Sequence, residues 1–363
     1  MKIDKSIMEG YENSELDRYD DVDGVFPTTC AYEDLPNLSV SGVLKANRYV
    51  DGKLMQTYSD RENHVGIIAA TRQGKTTSSI IPMVISNSRK KVKCNMVISD
   101  PKGEVYRYTA ATLKEEGYRV IMINLRNYMH SECWNPLTPI FRKFQKAMSI
   151  YDRVEKVEEN RQKKYRFMDV VYKNQLDLAR AIQMQQSKEL DEVYNDIDIL
   201  GAMLVTIESK EDSSWERGAR SIFKGFIHAM LEDSLLMDNP ITEETFSFNT
   251  MFSIFATFSD NYCPYDCGYF SNRSPTKSKA YAMVKDCIFI ADRTRDGYIS
   301  TFAGKMSEFM NTAIRRVTSC NSFEVSELGQ GPTALFLCYR DETQSHFQLI
   351  SLFVQDAYKK LIE

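Results

Sequence analysis

The sequence predicts an α/β fold: a parallel sheet core carrying a largely α-helical insertion. Short apolar runs recur at Val65 to Ala70, Cys94 to Ser99, Tyr118 to Asn124 and Thr333 to Tyr339, with helical patterns between the early ones. Strands alternating with helices at this spacing build parallel sheets. The first of these runs ends in a polar turn closing on Gly74-Lys75-Thr76, followed by a helical stretch. From about residue 141 the pattern becomes helical and densely charged, and it returns to a strand only at Thr333.

Residues 63–76, NHVGIIAATRQGKT, have the order strand, loop, helix start. That is the order of a P-loop, in which loop and helix N-terminal N–H groups point at phosphate oxygens. The expected nucleotide-binding residues are Ala69, Ala70, Thr71, Arg72, Gln73, Gly74, Lys75, Thr76 and Thr77. Lys75 would reach the β- and γ-phosphates and is one candidate catalytic residue; the Thr76 hydroxyl would hold Mg²⁺. ATP and Mg²⁺ are therefore the expected cofactors. Ala69 stands where the pattern GxxxxGK[ST] has its first glycine, a change that costs little if φ there is negative.

The remaining elements follow in order. Residues 1–24 are polar and acidic and read as a disordered tail. Residues 38–58 alternate around Asp51-Gly52, a hairpin signal. The helix from Thr77 to Ser86 contains Pro82, which predicts a kink or an early end. Glu104 to Glu116 is amphipathic and stops at Gly117. Residues 152–165 carry both signs densely and read as a solvated helix face. Ile182 to Ser209, Trp215 to Leu231, Thr294 to Thr318 and His346 to Ile362 read as helices, while 233–280 is mixed, broken by Pro240, Pro264 and Pro275. The expected organisation is a tail over 1–24, the N-terminal part of the core over 25–140, the insertion over 141–325, and a return to the core over 326–363.

Hydrolysis would need an acidic residue after a second strand to order Mg²⁺ or water. Asp100, after MVIS, is a second catalytic candidate that does this, caps the next helix, or does both. Asp341-Glu342 also follows an apolar strand, but Arg340 intervenes and the pair reads as a surface turn. Cys263 and Cys267 are a weak zinc signal with no second pair nearby. His64 precedes the loop strand and takes a structural role by default.

With 363 residues and 43% hydrophobic content the chain can bury a sizeable core. A net charge of −4 excludes a global basic field for nucleic acid. The compact basic run Arg89, Lys90, Lys91 and Lys93 reads as a solvated loop, with a DNA- or partner-facing patch as the minority alternative. A chain of this size needs no disulfide staples, so its eight cysteines point to a reducing cytoplasm. No signal peptide and no apolar run of about 18 residues is present, so no membrane span is expected.

Taken as an ordered series, the motifs resemble the TraG/TraD family of type IV secretion coupling proteins, conjugative DNA-transfer ATPases related to the FtsK/HerA motors. HVGIIAATRQGKTTSSIIP resembles the family's P-loop, VISDPKGEVYRYTA its DPKGE motif and CWNPL its WNPL element. SSWERGARSIFKGFIHAML resembles the tryptophan-led helix after the all-helical insertion, and NSFEVSELGQGPTALFLCY the segment returning to the core. The resemblance implies a RecA/FtsK-like P-loop NTPase, a homo-hexamer with ATP between neighbours, and coupling of a relaxase with its single-stranded DNA to secretion-channel proteins. It places the chain in the cytoplasm or, through partners, on the cytoplasmic face of the inner membrane. It also implies that a Walker B strand of the form LLLDEF would follow the last helix, so hydrolytic competence of this sequence is left open. A non-hydrolysing recruitment module and an unrelated P-loop DNA motor or helicase are the alternatives.

Overall fold

The computed structural model describes residues 28–37, 43–59, 73–159, 162–207, 213–260 and 269–362. The expected tail, His64, the strand Val65 to Ala70 and the Cys263/Cys267 pair lie outside them. The chain forms two compact units, Met1–Ile121 with Leu328–Phe336 and Met122–Glu327 with Leu337–Glu363.

The first unit begins with β1 (Thr28–Ala31), β2 (Val43–Val50) and β3 (Lys53–Ser59), an antiparallel sheet in the order β1-β3-β2. Its hairpin turns at Asp51-Gly52, as the sequence predicts, with φ of 49° and 79°. Positive φ at both central residues matches the right-handed twist of the flanking strands. A π-helical turn, Thr76–Ile80, then leads into α1 (Ile81–Ser88). Pro82 neither ends nor interrupts this helix. The wide turn is closed by Ile81 N–H donating to the Thr76 carbonyl, and Pro82 falls at the start of the α-helical part, where a missing N–H costs nothing.

Next come β4 (Met96–Ser99), α2 (Glu104–Glu115) and β5 (Arg119–Asn124). Helix α2 buries Val105, Thr109 and Leu113 along one face. It stops where the sequence predicts: Gly117 takes φ of 82°, its N–H donates to Lys114 O at 3.1 Å, and Tyr118 N–H donates to Leu113 O at 2.9 Å. That pair of bonds is a Schellman motif, and the positive φ explains the glycine.

The second unit contains α3 (Thr138–Met148), then three strands, β6 (Glu155–Glu159), β7 (Gln162–Phe167) and β8 (Val170–Tyr172). These form an antiparallel sheet and correct the expected charged helix over 152–165. Charges occupy both faces of β6 and the start of β7, so the period-two signal is absent there. Phe167 is the anchor, buried with Ile150, Leu178 and Ile182, with Tyr165 and Tyr172 packed beside them. The β7–β8 turn uses Met168 and Asp169 at φ of 48° and 62°, without the glycine that would have marked it.

Helices α4 (Gln175–Leu204), α5 (Ser214–Asp233), α6 (Phe248–Asp260), α7 (Lys279–Ile288), α8 (Asp292–Ser307) and α9 (Thr312–Val317) follow. Helix α4 begins earlier than the sequence suggests, and α6 occupies part of the stretch read as mixed. The chain closes with β9 (Thr333–Cys338) and α10 (Gln344–Ile362). Every residue of β9 is buried, as befits the middle of the order β4-β9-β5. Arg119 N–H donates to Pro332 O at 2.9 Å and Leu125 N–H to Cys338 O at 2.8 Å. The constant offset between these partners means β5 and β9 run parallel, the arrangement the sequence predicts.

Glycines set the spacing of α5, α7 and α8. A Cβ on Gly225 would lie 2.1 Å from Val284 Cγ1, one on Gly218 2.4 Å from the Tyr298 ring, and one on Gly297 2.2 Å from the Trp215 ring. Phe226 sits in the same region among Phe255, Phe270 and Phe302, with ring centroids 5.3–6.0 Å away. Glu232, at the end of α5, accepts from Ser278 Oγ and from the Ala280 N–H, capping α7, and pairs with Arg273 at 3.0 Å.

Two outcomes follow for this unit. Gly225→Ala should lower stability to urea by about 1–3 kcal/mol through overpacking, whereas Gly304→Ala, whose Cβ would meet nothing within 4 Å, should raise it by about 0.5–1 kcal/mol through helix propensity. His228 is buried against Tyr194, and burial, helped by Lys279, lowers its pKa to about 4 against the pull of Asp198. The folded state therefore holds His228 neutral while the unfolded chain takes up a proton. Stability should be full above the ordinary histidine value of 6.5 and fall between there and about pH 4, by up to about 3 kcal/mol. Urea titrations of wild type and His228→Phe from pH 7 to pH 4.5 check this; the variant should show a flatter profile.

Candidate functional site

Gln73 to Thr77 are the described part of the expected phosphate loop; Ala69, Ala70, Thr71 and Arg72 lie outside the described residues. Gly74 has φ of 77°, the left-handed region that a side chain would strain. Its carbonyl gathers the start of the helix, accepting from Ser78 N–H at 2.8 Å, Ser78 Oγ at 2.8 Å and Thr77 Oγ1 at 3.0 Å. Lys75 opens the helix with its side chain exposed, Thr76 is half-buried, and Gln73 and Thr77 are exposed. The first turn of a helix leaves N–H groups without intrahelical partners, so this end presents donors next to a cation and hydroxyls.

The other end of the same helix is fixed. Ser86 Oγ donates to Gln56 Oε1 at 2.9 Å, and Tyr58 Oη donates to the same oxygen, while Gln56 Nε2 donates to Asn47 Oδ1 at 2.8 Å. Gln56 and Ser86 are almost wholly buried, so each bond removes a desolvation cost as well as adding attraction. The β2–β3 hairpin thereby holds α1 through its polar core. Sequence reasoning passed over Gln56; its place on one strand face with Leu54 and Tyr58 was the available signal.

The basic run after α1 belongs to this anchor and is not the solvated loop the sequence suggests. Lys90 is 1% exposed, its ammonium 3.5 Å from the centroid of the Tyr58 ring, a cation–π contact strengthened by the absence of water. Arg89 donates to Tyr32 Oη and pairs with Glu116 at 3.5 Å. Lys93 donates to Ser88 O at 2.6 Å and pairs with Glu116 at 3.4 Å. Lys91 alone of the four is exposed, which leaves little cationic surface for a partner.

Asp100 directly follows β4 and is 4% exposed. Its Oδ1 accepts from Glu104 N–H at 3.0 Å and its Oδ2 from Tyr106 N–H at 2.8 Å. Both carboxylate oxygens thus satisfy the N-terminus of α2, the favourable end of the helix dipole for an anion. Capping is present, with the helix beginning at Glu104 after the turn through Pro101 and Gly103. Helix α2 packs on α1 and, through Tyr106, edge-on against Phe336 of β9 at 5.2 Å. Asp341 and Glu342 lie in an exposed turn after β9, and Arg340 N–H donates to His346 Nδ1 at 3.2 Å.

The Trp134-Asn135-Pro136-Leu137 segment is a packing centre. Trp134 is 3% exposed, edge-on to Phe353 at 5.0 Å, with Nε1 donating to Asp356 Oδ2 at 3.3 Å. Asn135 N–H donates to Asn321 Oδ1 at 2.7 Å, its Nδ2 donates to Phe246 O at 2.8 Å, and its Oδ1 accepts from Leu137 N–H at 3.0 Å.

Among the described residues there is no cluster of metal ligands and no helix long and apolar enough to cross a membrane. A search of curated proteins finds no match. The family model for type IV secretory system conjugative DNA transfer matches residues 28–362. A match of that extent takes in the loop, the DPKGE turn, the Trp134 centre and the return strand β9 together, and the chain therefore belongs to the conjugative DNA-transfer family of type IV secretion systems, as a coupling protein of TraG/TraD type.

Proposed function

We propose that this protein binds ATP with Mg²⁺ at residues 69–77 and recruits a relaxase with its single-stranded DNA, or protein substrates, to secretion-channel proteins. The observation that carries the reading is the start of the π-turn and α1. A left-handed Gly74, an exposed Lys75 and the Thr76 hydroxyl sit together at a helix N-terminus whose far end is anchored. The residues present suit a triphosphate. The Lys75 ammonium would neutralise the β- and γ-phosphates, the backbone donors would orient them, and the Thr76 hydroxyl would ligate the metal. Mg²⁺ when bound supplies charge neutralisation on the phosphate oxygens. Family membership supports the partners and, by the same resemblance, assembly as a homo-hexamer at the cytoplasmic face of the inner membrane.

A reading with feeble hydrolysis is favoured by the acidic residues. Asp341 and Glu342 are exposed in a turn, and both Asp100 oxygens are engaged with backbone donors of α2. Asp100 in this arrangement is oriented by the helix it caps, and an additional role toward metal or water would use its remaining lone pairs.

Lys75→Ala should weaken Mg-ATP binding roughly 100-fold or more, about 2.7 kcal/mol, in titration calorimetry; unchanged affinity would sink the site. This chain should turn over ATP far below about 1 s⁻¹ in a phosphate-release assay. Rapid turnover lost in Asp100→Asn would instead make Asp100 catalytic, and rapid turnover lost in Glu342→Gln would do the same for Glu342.

A further inference from the structure

Cys133, the residue before the Trp134 centre, is held from several sides. Its N–H donates to Ser322 Oγ at 2.9 Å, its carbonyl accepts from Ser322 N–H at 3.0 Å, and Sγ donates to Arg316 O at 3.4 Å. The next residue, Trp134, donates its N–H to Val317 O at 2.8 Å. Cys320 lies inside that bracket of 316–322, and its thiol neighbours the Cys133 thiol. Ser319 Oγ donates to Cys320 Sγ at 3.7 Å. Both thiols are free, Cys133 buried and Cys320 exposed. These bonds hold residues 133–134 against the 316–322 segment that carries Cys320, which brings the two cysteines into one cluster, the arrangement a disulfide requires.

We propose that Cys133 and Cys320 are an oxidisable dithiol, which hydrogen peroxide converts into an intramolecular disulfide tying the Trp134 segment to the 316–322 segment. The two thiols divide the work. Burial, with the neighbouring Cys320 thiol, pushes the Cys133 thiol up to about 11, so it stays protonated at neutral pH and waits. The exposed Cys320 meets the oxidant. Its sulfur attacks one peroxide oxygen, the O–O bond breaks, and the departing hydroxide takes the thiol proton as water, leaving a sulfenic acid. The Cys133 sulfur then attacks the Cys320 sulfur, the S–O bond breaks, and hydroxide leaves with the Cys133 proton as a second water. Two thiols are oxidised by two electrons in all, and one peroxide is reduced. The bond closes a long loop, the case in which a crosslink constrains the unfolded chain most.

The test uses the reduced full chain, treated with hydrogen peroxide, quenched with N-ethylmaleimide under denaturing conditions and digested without reductant. A Cys133–Cys320 linked peptide should be the principal oxidised product, reversed by dithiothreitol. The thermal midpoint should rise on the order of 5 °C. Cys320→Ser, a surface change that leaves the core alone, should abolish both effects. Cys320 trapped by dimedone as sulfenic acid while Cys133 remains fully alkylated would overturn the proposal. So would a rise in midpoint that persists in Cys320→Ser.

Discussion

Asn135 is 1% exposed, and all four of its polar groups are engaged: N–H, carbonyl, side-chain oxygen and side-chain nitrogen. Their partners come from Asn321, Thr138, Leu137 and Phe246, stretches separated by as many as 186 positions. An amide is the side chain this position needs, because it must donate at one end and accept at the other. A carboxylate could not donate to the Phe246 carbonyl, and an aliphatic side chain would leave that carbonyl and the Leu137 N–H buried and unpaired. Asn321 extends the network by donating to Thr138 Oγ1 at 2.9 Å. With Trp134 joined to Asp356 and Phe353, the segment gathers α3, α10 and the chain around 317–322 at one place. Within the larger unit this node fixes α3 and α10 against the 317–322 segment.

The smaller unit obeys a different constraint. Its principal helix is open at one end and tied at the other. Gln56, Tyr58 and Tyr32 of the hairpin and its flanking turn hold Ser86, Lys90 and Arg89. Were the loop at Gly74 to receive a polyanion, as proposed, it would lose less entropy on binding because the helix behind it is already held. The anchoring cations also explain the unusual placement of a lysine in a core: the Tyr58 face compensates the ammonium for part of its lost hydration.

Much of this was legible in the sequence where local chemistry is strong. The apolar runs of β4, β5 and β9 announce themselves by composition, Asp51-Gly52 by its turn preference and Gly117 by its helix stop. The turn at Gly74 is readable because its left-handed φ suits glycine. The β6–β7–β8 sheet was not legible: its charges mask the alternation and its second turn lacks glycine. Asn135 was visible as part of a family motif, but its bonding partners are far away in sequence. The inward turn of Lys90 was hidden for the same reason. A lysine is read as surface until the aromatic ring that receives it is known.

The close glycine contacts of α5, α7 and α8 bear on how force passes through the larger unit. Val284 sits where a Gly225 side chain would be, Tyr298 fills the corresponding space at Gly218, and Trp215 does so at Gly297. Sliding one of these helices along another by even a single residue, about 1.5 Å of rise, would drive a branched or aromatic side chain into backbone. Shear between them is thus blocked, and the three transmit a push as a stiff block. A displacement imposed on one of these three helices is therefore passed to the other two with little loss.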